Sequence, residues 1–356
     1  MCQKKYDNSI AIAKGIAIIL MVGGHASYSC YANDLLSICR MPLFFVMSGY
    51  LFKTTYLDNV KEFLAKRISG LYLPLVKYSL IFLALHNLFF HIGIYNNTFI
   101  DILDVSRWYT AADFLERGIR IITTMHGYDR LLGGYWFVHT LFWASIIFYF
   151  SQRVFGAKYI FQTIVLLILS VLIKAFGLYI PYFHVDYLPF MAASMMMFGR
   201  MYHEKKWCYH KNALFIITSL LVVAIVAYWM PTAMPICLYY QIVPYTIASI
   251  MGTMVIFALS QYLEQCINSL GKFLTYVGKR TFAVLTWHML SFKIVTLAII
   301  FVYNEPYSRL AETLVLEDYV TNSVGGVISY WIVGLIIPLL IDYCVKIRKN
   351  IEHTNK

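Results

Sequence analysis

Four histidines and five basic residues stand inside long apolar runs: His25, His86, His139 and His288, with Lys14, Arg40, Lys77, Lys174 and Lys293. Ionisable groups in a bilayer interior are costly, so each needs a reason. A lysine near a helix end reaches the headgroups along its own alkyl stem, which accounts for Lys77 and Lys174. That explanation fails for His25. A lone histidine in a soluble core is usually a satisfied polar group, but within a membrane span an ionisable residue points to function. His25 follows Lys14 by eleven residues, and eleven steps of about 100° return to within roughly 20° of three turns, with a rise of about 16 Å. Both side chains therefore share one helix face. A neutral imidazole there can act as a general base or carry a covalent intermediate, and a guanidinium such as Arg40 can stabilise an oxyanion. Arg40 is expected at a depth similar to His25. His288 and His139 are further candidates for the same chemistry. Gly23 and Gly24 beside His25 allow a second helix to approach closely.

The elements that must hold these residues follow from composition. Of 356 residues, 60% are hydrophobic and 13% charged, against about 45–50% and about 25% in ordinary soluble domains. Such a chain cannot cover its apolar surface with polar groups in water, which excludes disordered, nucleic-acid-binding and disulfide-stapled secreted classes. The expected fold is all-α: a single polytopic transmembrane bundle over 1–356. A span needs about 20 apolar residues, and candidates fall at 9–29, 35–53, 71–92, 134–152, 159–179, 185–203, 212–230, 237–260, 281–303 and 323–345. With the N-terminus inside, 19 of the 29 basic residues lie on the cytoplasmic side and five outside. That asymmetry orients the chain with both termini cytoplasmic; the membrane expected is the plasma (inner) membrane. The net charge of +11 is thus loop charge and calls for no nucleic-acid partner.

The outer loop 93–133 is the only long polar excursion, and 112–125 reads as amphipathic. It is either a helix on the membrane surface or a wall of an external cleft. The seven cysteines are scattered without metal or redox spacing, so no metal is expected. Most read as buried small apolar residues, with a Cys30–Cys39 disulfide left open. Met195, Met196 and Met197 read as packing, and 346–356 as a short charged end. Paired broken helices of the transporter type are not evident.

Two blocks are recognisable. Ala-Lys-Gly-Ile-Ala-Ile-Ile-Leu-Met-Val-Gly-Gly-His (13–25) and Met-Pro-Leu-Phe-Phe-Val-Met-Ser-Gly-Tyr-Leu (41–51) resemble the opening of the acyltransferase family 3 membrane proteins. Weaker matches follow: Lys66-Arg67-Ile-Ser-Gly-Leu-Tyr-Leu-Pro74, Trp136-Phe137 to Leu141, and Gly278-Lys279-Arg280-Thr281 with His288. The chain departs from the family pattern at Ala11, where an acidic residue is common, at Arg40, where many members carry histidine, and at Gly70, which replaces a second basic residue. The resemblance implies a ten-helix enzyme that moves an acyl group from acyl-CoA to a hydroxyl of a cell-surface glycan or its lipid-linked precursor. Acetyl-CoA is the expected co-substrate, with no permanently bound cofactor, and membrane lipid surrounds the chain. His25 is then the general base, Arg40 the oxyanion partner, and His288 and His139 the reserve candidates. Lys14, Lys66 and Arg67 are expected to hold the donor's phosphates, although positive loop charge also explains Lys66 and Arg67. Ser48 and Trp136 are expected at the acceptor.

A secondary transporter of a small anionic or glycan-related substrate is the main alternative, and a non-enzymatic anchor another. Ion-coupled transporters usually carry intramembrane Asp or Glu, and the ten spans hold almost none away from their ends.

Overall fold

The computed structural model describes residues 8–26, 31–98, 105–127, 129–266, 268–312 and 314–354. Among these described residues sixteen α-helices follow one another: α1 (Asn8–Ala26), α2 (Tyr31–Arg40), α3 (Pro42–Tyr50), α4 (Thr55–Asp58), α5 (Val60–Arg67), α6 (Leu73–His91), α7 (Ala111–Thr124), α8 (Tyr135–Phe155), α9 (Tyr159–Ala175), α10 (Leu188–Glu204), α11 (Ala213–Trp229), α12 (Ile242–Cys266), α13 (Asn268–Gly278), α14 (Thr281–Tyr303), α15 (Glu317–Asn322) and α16 (Val324–Thr354). Among the described residues the extended pairing is one isolated bridge between Ile180 and Val185. The all-α expectation therefore holds.

Among the described residues, five helical stretches are long and apolar enough to cross a membrane: Asn8–Ala26, Val60–His91, Tyr239–Gln265, Thr281–Tyr303 and Val324–Ile347. Tyr159–Ala175 and Ala213–Trp229 are apolar but shorter. The expected span 35–53 is not one helix. It breaks at Met41, because Pro42 offers no N–H to continue the helix of Tyr31–Arg40 and instead opens α3. Lys66 and Arg67 are not loop residues either: they close α5, which passes through a π-helical turn, Ile68–Tyr72, into α6. The charged end read from 346 onward continues α16 to Thr354. Cys39 and Cys237 are buried thiols while Cys208 and Cys344 are exposed, so burial covers only some of the cysteines. Cys30 lies outside the described residues.

The chain divides into two compact units. The first comprises 1–21, 29–72 and 137–279, and the second 22–28, 73–136 and 280–356.

In the first unit, α3 packs on α10, and α10 also on α9. The α3–α10 contact is made backbone to backbone. A Cβ on Gly49 would collide with the Met196 carbonyl oxygen, and one on Gly199 with the Val46 carbonyl oxygen. The three methionines beside Gly199 are fully buried, as expected of adaptable fillers. A second contact of this kind joins α1 to α13, where Gly15 faces the Leu274 carbonyl and Gly278 faces that of Ala11. Small residues are what allow helix backbones to meet in this way. Arg200, one of the 19 basic residues assigned to the cytoplasmic side, is buried on α10, donating to the Phe52 carbonyl at 2.8 Å and pairing with Glu204.

In the second unit, α14 lies along α16, with α15 on α16 and α7 on α6. Tyr78 and Phe82 of α6 meet Trp287 of α14 edge-on or tilted, at 5.8 and 5.4 Å. The amphipathic stretch is indeed a helix, α7, opened by a reciprocal cap between Thr110 and Asp113. Arg107 adds two hydrogen bonds to Asp113, at 2.6 and 3.0 Å, and with Thr110 holds its carboxyl well below the usual carboxylate range. Leu115, Ile119 and Ile122 form an exposed apolar stripe on α7, joined by exposed Trp108. Such a stripe is the face that a helix at a membrane surface presents to lipid.

Candidate functional site

The second unit brings two of the sequence candidates together. The rings of His25, near the end of α1, and His288, midway along α14, lie 5.4 Å apart between centroids, tilted by 38°. His25 is half-buried and His288 fully buried. The His288 ring is anchored to its own helix, with Nδ1 at 3.0 Å from the Val284 carbonyl and 3.1 Å from that of Leu285. Carbonyl oxygens only accept, so Nδ1 carries the hydrogen and donates to both. Its Nε2 is buried and has no hydrogen-bond partner among the described residues.

Glycines and aromatic rings make room for the pair. A Cβ on Gly134 would lie 2.7 Å from Leu285 Cδ1 and 3.9 Å from His288 Cε1, so this glycine lets the start of the α8 segment close over the ring. A Cβ on Gly23 would meet Trp331 Cε2 at 2.8 Å, and one on Gly334 would collide with Phe292. Phe292 in turn presents its edge to His288, with centroids 5.8 Å apart and planes at 87°. The walls named are thus apolar. Behind them Tyr135 and Thr286 share a hydrogen bond of 2.9 Å, and Thr296 and Tyr330 another of 2.9 Å. An imidazole can accept and return a proton near neutral pH.

The glycines and rings around the pair are what sequence reasoning missed. Gly134, Phe292, Trp331 and Gly334 carry no chemical signal of their own, and the two histidines stand 263 positions apart in the chain.

Other candidates have different surroundings. His139, in the first unit, is buried, and its Nε2 donates to the Phe183 carbonyl at 2.9 Å, tying α8 to the turn before α10. Arg40 closes α2 in the same unit and donates through Nη1 to Asn33 Oδ1 at 2.7 Å. Ser48 is half-buried on α3, and Lys14 half-buried on α1. Lys66 is exposed. Arg67 is partly buried, stacks its guanidinium 5.4 Å above the Phe63 ring, and keeps Nε buried without a hydrogen-bond partner among the described residues. Trp136, in the second unit, is half-buried one residue beyond Tyr135.

Two further ionisable groups within apolar helices are bound to backbone carbonyls. Lys293 is buried and donates at 2.8 Å to the carbonyls of both Leu310 and Glu312, fixing the turn beyond α14. His86 stacks 3.4 Å from Tyr109 at 9° and meets the Arg107 carbonyl at 2.9 Å. In the turn between α14 and α15, Arg309 is bound by Glu312, Asp318 and Glu305, and these hydrogen bonds hold its guanidinium above the usual arginine range.

Among the described residues, helices long and apolar enough to span accompany a half-buried and a fully buried imidazole side by side, as in a helical integral membrane protein. The family model for the acyltransferase domain of acyltransferase family 3 matches residues 7–343, nearly the whole chain. The chain belongs to that family and is a membrane acyltransferase. No curated protein and no solved structure matches it. Membership sets aside the transporter and anchor readings.

Proposed function

We propose that the protein transfers an acyl group, acetyl foremost, from acyl-CoA to a hydroxyl of a cell-surface glycan or its lipid-linked precursor at the plasma (inner) membrane. The observation that carries this reading is the His25–His288 pair, enclosed by apolar walls in a chain of the acyltransferase family. His25 is the general base, because its half-exposed ring is the one a substrate hydroxyl can reach. Arg40 serves the oxyanion and Ser48 and Trp136 the acceptor. Lys14, Lys66 and Arg67 hold the anionic donor. The buried Nε of Arg67, without a hydrogen-bond partner among the described residues, is what favours an anion there.

The donor assignment has a direct test. Replacing Lys66 and Arg67 together by Gln removes two charged donors, and a hydrogen bond to a charged group contributes about 1.5–3 kcal/mol. The apparent KM for acetyl-CoA should rise by about tenfold or more, with kcat close to wild type. An unchanged KM with reduced protein yield would return both residues to ordinary cytoplasmic charge.

The reading also requires ten spans with the donor side facing the cytoplasm. In a background lacking native cysteines, a cysteine at Asn97 should react with an impermeant thiol reagent applied from outside, and one at Lys206 should not. The reverse labelling would invert the membrane orientation and remove the donor assignment with it.

A further inference from the structure

We propose that His288 is a positioning residue for His25: its Nε2 accepts a hydrogen bond from the His25 ring while that ring holds the acceptor's proton. The inference rests on the acyl-transfer reading above and goes beyond it by giving the second imidazole a fixed role.

The tautomer of His288 is settled by its anchoring. Nδ1–H donates to the Val284 and Leu285 carbonyls, so the ring cannot turn without losing both bonds, and Nε2 is left as a lone pair. That lone pair is buried and has no partner among the described residues. An unsatisfied buried acceptor is costly, and in native structures such an atom calls for an explanation. The nearest ring is the other imidazole. The two ring centroids are 5.4 Å apart, so Nε2 is adjacent to the His25 ring without being bonded to it in this structure, and a turn of the more exposed His25 side chain is what brings an N–H to it. Burial then separates the roles. His288 is 0% exposed and cannot meet a substrate hydroxyl, whereas His25 is half-exposed and can. A buried acceptor that orients a reactive imidazole and stabilises its protonated form is the arrangement of a nucleophile–base–orienter triad. Here the orienter is a neutral histidine.

The step balances as follows. The acceptor's O–H bond breaks and its proton passes to the open nitrogen of His25. The oxygen forms a bond to the thioester carbonyl carbon, and the C–S bond breaks with its electron pair leaving on sulfur. The sulfur takes the proton back from His25, giving the ester and CoA thiol. In between, His25 is an imidazolium with two N–H donors, and one of them donates to His288 Nε2. His288 keeps its own Nδ1–H and takes no proton.

Two substitutions separate this role from packing. His288→Asn keeps a nitrogen able to donate to the helix carbonyls and removes the acceptor at the Nε2 position. His288→Gln places an amide oxygen near that position. The assay is transfer of labelled acetyl from acetyl-CoA in native membrane vesicles, with melting temperature measured in detergent. His288→Asn should lower kcat about 10- to 100-fold, the range seen when an orienting partner is lost, with the KM for acetyl-CoA unchanged. His288→Gln should recover most of the rate. Combining His288→Asn with His25→Gln should be no worse than His25→Gln alone, because one residue acts through the other. A folded His288→Asn protein with wild-type kcat, or a double variant losing the product of both single effects, overturns the inference and leaves the acyl-transfer reading standing. Full activity in His25→Gln overturns that reading, and the positioning role with it.

Discussion

His25→Gln should abolish most of the acyl transfer while leaving the protein folded. Glutamine keeps the approximate length and the hydrogen-bonding capacity of the ring but offers no base near neutral pH. General base catalysis contributes about 10²–10⁴-fold, roughly 3–5 kcal/mol of barrier. The loss should appear in kcat and kcat/KM together, since the interaction is made only as the proton moves. His25 is half-buried at the end of α1, so a replacement of similar size should move the detergent melting temperature little. A folded variant acylating at the wild-type rate would remove His25 from the chemistry.

The second large effect concerns folding. Gly49→Val should prevent accumulation of folded protein, because the new side chain must occupy the space of the Met196 backbone rather than that of a flexible side chain. Overpacking usually costs about 1–3 kcal/mol even when neighbours can yield, and a helix backbone yields least. Gly199→Val should behave alike from the opposite side. The double variant should cost less than the sum, as the two glycines share one contact. Gly70 is the control. No atom lies within 4 Å of a Cβ placed there, so Gly70→Ala should hold or raise the melting temperature, since helix preference favours alanine over glycine by up to about 1 kcal/mol. Yield and thermal unfolding in detergent distinguish these outcomes, and equal losses at Gly49 and Gly70 would refute the contact argument.

Much of the helical content was legible because apolar runs near 20 residues have few other solutions. The amphipathic pattern at 112–125 likewise found its helix, α7. Breaks were less legible. Pro42 marked the end of α2, but the apolar character of 35–53 outweighed it in a reading based on length. The helical placement of Lys66 and Arg67 escaped notice because charge argues for a loop, whereas α5 extends as a helix whose Phe63 is buried. For the site, His25 and His288 stood out as titratable groups in apolar runs. Their pairing did not, since it depends on Gly134, Phe292 and Gly334, residues that act by size and shape. His139 shows the converse: the same signal in sequence, but a ring committed to a backbone carbonyl.

The glycine contacts bear on what a family signature records. Gly15, Gly49 and Gly278 each stand within a block by which the chain is recognised, and each is where one helix's backbone touches another's. At these places a side chain can be added only if the opposing helix retreats, so neither partner is free to drift alone. Part of the signature is therefore a record of geometry, a set of fixed hinges of contact that any acyl group or acceptor would leave unchanged. Substrate preference has to be written elsewhere, in residues that the helices can exchange without losing their grip on one another.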